Sequence, residues 1–274
     1  MIESMESLVI VSSNEDIASI NIAKMLIEGF GFRETNEKFD GSPIFIKDNL
    51  KLIRIERDLI FADYLNDYFL ADAYIFISRH KSESEIPCLT THFPGNFSDN
   101  NSYGGKPKEL AYTCPSFHKE YIKQLWQLRE LVPNYQIIVE PMHHGPTSLN
   151  KPIIFVEIGS TENEWRDAKA SKIVTRALMN AIDAKPRYDK VGIGFGGTHY
   201  SEKFTKFLIE SDFALGAIAS KYSLQFIDEK ILSQMIKKCS QKVEYAILDW
   251  KGLGKEKARI VELIEKNNLR IIKI

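Results

Sequence analysis

Cysteine is scarce in this chain of 274 residues, which has only Cys88, Cys114 and Cys239. They are odd in number, widely spaced and form no Cys-x-x-Cys pair. That argues against a disulfide framework and against a cysteine-built zinc knuckle. A reducing cytoplasm is the compartment that fits. Charge of one sign is also lacking: 36 Lys and Arg face 37 Asp and Glu, a formal net charge of -1. No global field therefore draws nucleic acid, and such a partner would have to meet a local basic patch. Apolar runs stay well short of the ~18 residues that span a bilayer. The longest, such as Phe213 to Ala219, have the length of a core strand. The opening Met1-Ile2-Glu3-Ser4-Met5-Glu6 is acidic and lacks the basic n-region of a signal peptide. Repeats, low-complexity segments and an obvious linker are missing as well. So are a His-Glu-x-x-His helix, a GK[ST] phosphate loop and the dinucleotide glycine fingerprint.

At 44% hydrophobic and 27% charged residues the composition is that of an ordinary soluble protein, and the chain is long enough to bury a real core. Short β-branched or apolar runs alternate with helical periodicity. Leu8 to Val11, Ala73 to Ser78, Pro87 to Thr91, Tyr135 to Glu140, Pro152 to Ile158, Val191 to Phe195, Phe213 to Ala219, Tyr245 to Leu248 and Arg270 to Ile274 read as strands. Pro43 to Ile55 reads as a hairpin around Lys47-Asp48-Asn49. Ser12-Ser13-Asn14 reads as the cap of a helix that Gly29 or Gly31 ends. A helix starts at Pro115, with Ile122, Leu125, Trp126, Leu128 and Leu131 on its apolar face, and stops at Pro133. Thr161-Glu162-Asn163-Glu164 is a capping box that starts a long helix through about Ile182. Ser201 caps a further helix, and Asp228 to Cys239 and Lys255 to Asn267 read as two more. This order predicts one domain, residues 1–274, folded as a three-layer α/β/α sandwich around a mixed, mostly parallel sheet. In such sheets ligands bind outside the carboxyl ends of the strands. Asp99 to Pro107 is a polar loop, either a lid or plain surface.

Of six histidines, five follow a predicted strand directly: His80, His92, His143, His144 and His199. In a parallel sheet these would converge on one edge. Only His118 falls inside a predicted helix, where a surface position is expected. Converging imidazoles with a carboxylate make an N/O metal site, for which zinc is the default ion. Each histidine alone reads equally as a hydrogen-bonded loop residue. Glu157 is the best carboxylate, because a charge at the end of an apolar strand is costly unless paired or metal-bound; the alternative is a solvent-facing residue. In a strand His143 and His144 would point to opposite faces. The Gly145-Pro146 turn that follows lets both face one cleft, toward two different ions. Gly194-Phe195-Gly196-Gly197-Thr198-His199 exposes backbone N–H groups that could hold an oxyanion, or is a tight turn. Lys230, Lys237, Lys238, Lys242, Lys251, Lys255, Lys257, Arg259, Lys266, Arg270 and Lys273 make the carboxyl-terminal region basic, either as a solvated helical surface or as a phosphate-binding one.

Five motifs in order resemble the D-aminoacyl-tRNA deacylase family of the archaeal and plant type, across essentially the whole chain. They are Ser78-Arg79-His80-Lys81-Ser82, His92-Phe93-Pro94-Gly95-Asn96-Phe97, His143-His144-Gly145-Pro146-Thr147, Glu157-Ile158-Gly159-Ser160-Thr161-Glu162 and Gly194-Phe195-Gly196-Gly197-Thr198-His199-Tyr200. The resemblance implies an α/β/α fold similar to the phosphorylase/hydrolase group. It also implies zinc-dependent hydrolysis of the ester between a D-amino acid and the 3′ end of tRNA, by a cytoplasmic monomer that meets the acceptor end. Placed on the matched positions, His92, His144 and His199 become the metal ligands, with two Zn2+ per chain. Glu157, His143 and His80 become the catalytic groups. Arg79, Asn96, Thr147, Gly196, Gly197 and Thr198 become substrate-binding, with Lys81 and the carboxyl-terminal lysines near the tRNA phosphates. A zinc-dependent peptidase or amidase acting on small molecules is the alternative for the same histidines. A non-catalytic RNA-binding protein is the alternative for the lysines.

Overall fold

The structure, a computed structural model, describes residues 7–274; the acidic Met1 to Glu6 lies outside the described residues. The first half comprises β1 (Leu8–Ser13), α1 (Ile17–Phe30), β2 (Arg33–Phe39), β3 (Ser42–Lys47), β4 (Leu50–Ile55), a 3-10 segment (Leu59–Asp67), β5 (Ala73–Lys81), β6 (Cys88–His92), α2 (Pro115–Leu128) and β7 (Gln136–Val139). Next come β8 (Ile153–Ser160), α3 (Glu162–Trp165), α4 (Ala168–Ala184), β9 (Lys190–Phe195), α5 (Glu202–Glu210), β10 (Phe213–Ala219), α6 (Glu229–Lys237), β11 (Tyr245–Leu248), α7 (Lys257–Lys266) and β12 (Arg270–Lys273).

The α/β class and the mixed, mostly parallel pairing are as the sequence predicts, but the strands divide between two sheets. One has eight strands in the order β2-β3-β4-β1-β5-β8-β6-β7; the other has four, β10-β9-β11-β12. The small sheet is parallel throughout. In the large sheet β4, β1, β5 and β8 run parallel, whereas β6 and β7 run together but antiparallel to β8. The Met142 N–H donates to Ile218 O at 2.9 Å, linking the end of β7 to β10.

Period-2 alternation sorts the core. Ile10, Ile75, Ile77, Ile154 and Val156 pack with residues of α1, α2 and α4. Val9, Val11, Tyr74, Phe76, Ile153 and Phe155 point to the other face, covered by the 3-10 segment and by loops through Ala111 and Leu149. Burying each such side chain contributes roughly 1.5–3 kcal/mol. Ile193, Ala246 and Ile247 of the small sheet join the helical-side core, so one apolar interior runs beneath both sheets.

Several boundaries differ from the sequence reading. The cap of α1 is Asp16, not Ser12-Ser13-Asn14, and its carboxylate accepts from Ser19 N at 2.9 Å and Arg79 N at 2.7 Å. That ties the helix start to the end of β5. Glu164 does close on Thr161 (2.9 Å to its N–H), but the helix stops at Trp165 and restarts after Asp167, which accepts from Lys169 and Ala170 N–H. The break lets the Trp165 indole donate to His80 O at 3.0 Å. β2 has mostly exposed, charged residues and carries no apolar alternation to announce it. Helix α2 is inserted against α4 and α5, so its first turns have no water-facing side. His118, expected at the surface, is therefore buried at 1% exposure, and that burial pushes its pKa down to about 4. Trp126 and Leu131, expected on the buried face, are 39% and 44% exposed. Among the described residues no helix is long and apolar enough to cross a membrane.

Candidate metal centre

Alternation along three neighbouring strands builds the floor of the site. On β5, Tyr74, Phe76, Ser78 and His80 share one face. On β8, Phe155 and Glu157 face the same way, and on β6 so do Thr90 and His92. Cross-strand register sets Thr90 beside Glu157 and His92 beside Phe155, with Ser78 beside Glu157 on the other side. His80 and His92 are thus inside strands, and they meet on a sheet face rather than at a carboxyl edge. The reason is the direction of β6: it runs against β8, so its end cannot lie at the edge where β5 and β8 end.

The remaining groups arrive from loops. Glu140, His143 and His144 follow β7; His199 and Tyr200 follow β9. His144 has φ of +45°, in the left-handed region that a non-glycine residue seldom occupies. This breaks the strand alternation, so both adjacent histidines reach the same place. Ring centroids lie 4.1 Å apart for His92 and His143, 4.8 Å for His92 and His144, and 4.5 Å for His143 and His144.

Three overlapping sets of ligand atoms come within 4.8 Å of one another: His92, His143 and His144; His80, Glu140 and His199; and His92, Glu140 and Glu157. In the first set every imidazole has Nδ1 against a backbone carbonyl: His92 on Phe93 O at 3.2 Å, His143 on Pro141 O at 2.9 Å, His144 on Gly145 O at 2.6 Å. That contact places the proton on Nδ1 and leaves Nε2 as a neutral ligand atom. In the second set His199 Nε2 is 3.0 Å and His80 Nδ1 3.4 Å from Glu140 Oε1. Glu157 Oε2 lies between the sets, 3.4 Å from His80 Nδ1 and 3.7 Å from His92 Nε2, and accepts from Thr90 Oγ1 at 2.9 Å.

Three of the clustered atoms make no hydrogen bond. His92 Nε2 and both oxygens of Glu140 are buried with no hydrogen-bond partner among the described residues. A buried unsatisfied polar group costs about 1–3 kcal/mol, more if charged. Ligands aimed at a common ion show this pattern, so the residues fit a metal. The two sets differ electrostatically. Burial first, then the neighbouring imidazoles, hold His143 well below the usual histidine range and push His144 down to about 3. Burial lowers His80 too, but the contact with Glu157 and the charges of Glu140 and Glu157 outweigh it and raise the pKa to about 10. The Glu140 contact raises His199 despite burial. Burial would raise Glu157; His80 and His92 instead hold it well below the carboxylate range.

The structure gathers all five expected strand-end histidines and Glu157 but regroups them. His199 sits with His80 and Glu140, while His143 takes its place beside His92 and His144. Glu140 was not foreseen, although it ends an apolar strand just as Glu157 does, which was the available signal. Tyr200 was also missed; its hydroxyl is 3.1 Å from His80 Nε2 and 3.3 Å from Ser84 Oγ.

The other expected residues are largely engaged within the fold. Asn96 Nδ2 donates to Gly104 O and Lys106 O at 2.8 and 3.1 Å. Thr147 Oγ1 donates to Glu109 at 2.9 Å and accepts from Lys106 N at 2.8 Å. These bonds clamp the 99–107 loop to the His143–His144 turn, where a Cβ on Gly104 or Gly145 would overlap the Ile60 carbonyl. Gly196 donates its N–H to Ala219 O, and Thr198 Oγ1 donates to Tyr200 O. Arg79 donates to Glu15 O and lies over Trp165. Lys81 is exposed at the end of β5.

Comparison with known proteins adds an independent line. A family model described as D-aminoacyl-tRNA deacylase matches residues 68–272. The D-aminoacyl-tRNA deacylase of Pyrococcus abyssi is 36% identical over 273 residues, covering 97% of this chain and 99% of the relative. The one from Methanocaldococcus jannaschii is 36% identical over 271 residues, covering 95% and 96%. A crystal structure of a conserved protein of unknown function, AF0625, superposes with a TM-score of 0.90 at 30% identity, covering 99% of this chain and 96% of that one.

Proposed function

We propose that this chain, which belongs to the D-aminoacyl-tRNA deacylase family, is a zinc-dependent enzyme that hydrolyses the ester joining a D-amino acid to the 3′ end of tRNA. The observation that carries the reading is the set of buried ligand atoms on His92 and Glu140 that make no hydrogen bond among the described residues, at the centre of five converging histidines. We read His92, His143 and His144 as the holders of one ion and His80, Glu140 and His199 as the holders of a second, with Glu157 between them. Zinc held there would lower the pKa of water to about 7 and polarise the ester carbonyl.

The chain's own residues supply the rest. The carbonyl contacts at Nδ1 fix the tautomer and aim of the three inner imidazoles. His199, with its side chain 50% exposed, marks the open side where the ester enters. Tyr200, hydrogen-bonded to His80 Nε2, is placed to pass a proton to the departing ribose oxygen. Gly197 is the remaining backbone donor for a developing oxyanion, since the Gly196 N–H is already taken. Both ligand groups come from one chain, which supports a monomer as the active unit. Their residues lie on or just after strands of both sheets, which supports reading residues 1–274 as one domain. Three free cysteines, two of them buried, suit a cytoplasmic setting. The peptidase alternative rests on the same histidines and draws no support from the family match.

The test is release of D-tyrosine from D-Tyr-tRNA by chelator-treated protein, before and after zinc is returned. Activity should vanish and come back. Absence of hydrolysis by fully loaded protein would sink the reading.

A further inference from the structure

Parallel topology sorts the lysines of the carboxyl-terminal third into two groups that the sequence presents as one. Helices α6 and α7 run back against the strands of the small sheet. Lys237, Lys242 and Lys266 therefore lie at the strands' amino edge, whereas Lys251, Lys255 and Lys257 lie at the carboxyl edge. Lys221 and Lys273, which directly follow or end strands, join the second group. The amino-edge group is largely neutralised: Lys242 pairs with Glu244 at 2.6 Å and Lys266 with Glu262 at 2.7 Å. At the carboxyl edge, by contrast, the exposed ammonium groups of Lys251 and Lys255 have no partner among the described residues.

The same edge carries aromatic surface. Tyr222 is 62% exposed, with Lys221 Nζ 4.9 Å from its ring centroid. Trp250 lies beneath two further cations, Lys257 at 4.5 Å and Lys273 at 3.9 Å. This surface adjoins the metal centre. The Lys221 N–H donates to Gly197 O at 2.9 Å, two residues from His199. A Cβ on Gly252 would press on Gly197 N. The strand order β10-β9-β11-β12 puts the change of winding direction at β9 and β11, and the crevice at such a switch is where ligands bind in α/β sheets.

We propose that this edge, formed by the loops at 196–200, 220–223 and 249–255, is the surface that holds the RNA of the substrate. Lys221, Lys251 and Lys255 take phosphates, and Tyr222 stacks on a base of the single-stranded end. Unpaired cations with an exposed aromatic ring among them complement a phosphodiester chain with unstacked bases. The proposal rests on the deacylase reading for the identity of the RNA.

The test is binding of uncharged tRNA, followed by fluorescence anisotropy over a range of salt concentrations, with the variants' thermal melting as a check on folding. Replacing Lys221, Lys251 and Lys255 together by Ala should weaken binding at least about tenfold and flatten the slope of log affinity against log salt by about 2. Tyr222→Ala should weaken binding about tenfold with the slope unchanged. Replacing Lys237, Lys242 and Lys266 by Ala should change neither. With charged tRNA the first triple variant should raise KM more than it lowers kcat. Wild-type affinity and slope in that variant, or no tRNA binding by the wild type, would overturn the proposal. Binding that depends on the patch, in a loaded protein that hydrolyses no ester, would support the surface and overturn the deacylase reading instead.

Discussion

Lowering the pH should empty the two ligand groups in sequence. His80 keeps its proton up to about pH 10, because Glu140 and Glu157 flank its Nδ1. An ion that binds through that atom must first expel the proton. At pH 7.5 this competition lowers affinity about 300-fold, and each further unit downward costs about tenfold more from His80 alone. His199, also raised, adds to the effect. The inner group behaves oppositely. His144, with its pKa near about 3, and His143, also depressed, have no proton to expel at pH 5.5. Ordinary histidines at a pKa of ~6.5 would each cost about tenfold there. Between pH 7.5 and 5.5 the His80 group should therefore lose about 100-fold in affinity through His80, a loss that His143 and His144 do not impose on the inner group. Zinc titration by calorimetry, in two buffers of different ionisation enthalpy, counts the protons released per ion. Native mass spectrometry across the same range counts the ions. Two ions leaving together, or a second ion that binds without releasing a proton, would refute the electrostatic argument.

His144→Ala should remove the inner ion and bring deacylation to background while the protein stays folded; metal analysis and turnover on D-Tyr-tRNA check it. Tyr200→Phe should lower kcat about 100-fold, as expected for a lost proton donor, with metal content and KM unchanged in steady-state assays. Gly104→Ala sets a Cβ against the Ile60 carbonyl at a backbone φ of +79°. It should destabilise by ~2 kcal/mol or more and lower activity by shifting the His143–His144 turn, seen as a drop in Tm. Metal-free protein should lose stability in acid. Below pH 6.5 the unfolded chain takes up protons that buried His118 and His144 refuse, at roughly 2.5 kcal/mol each by pH 4.5, and His143, also held low by burial, acts in the same direction. Urea midpoints across pH 4.5–7.5 test this, and a flat profile would contradict it.

Local pattern carried most of the fold. The apolar runs of β1, β5 and β8 and the helical periodicity of α1, α4 and α7 are visible in the chain, because each buries a continuous face. β2 escaped, since an exposed charged strand has no apolar period. The break at Arg166-Asp167 escaped too: both halves keep helical patterning, and only Asp167 capping the second marks it. The candidate site was half legible. His92 and Glu157 follow from polar groups set in or ending apolar strands, His143 and His144 from the turn that follows one, and Glu140 meets the first criterion unrecognised. Asn96 and Thr147 were expected to face substrate, yet their hydrogen bonds close on the 99–107 loop.

What the sequence determined by itself is the inventory: five histidines and Glu157 placed by alternation and turn chemistry, in an α/β chain with no charge excess. What only the tertiary structure decided is their grouping. The antiparallel course of β6 moved the meeting point from a sheet edge to a sheet face. The left-handed backbone at His144 brought both adjacent histidines to one side. The parallel course of the small sheet sent Lys237, Lys242 and Lys266 away from the site. Each depends on strand direction or backbone handedness, set by packing between segments far apart in the chain, so the spacing of residues along it could not reveal them.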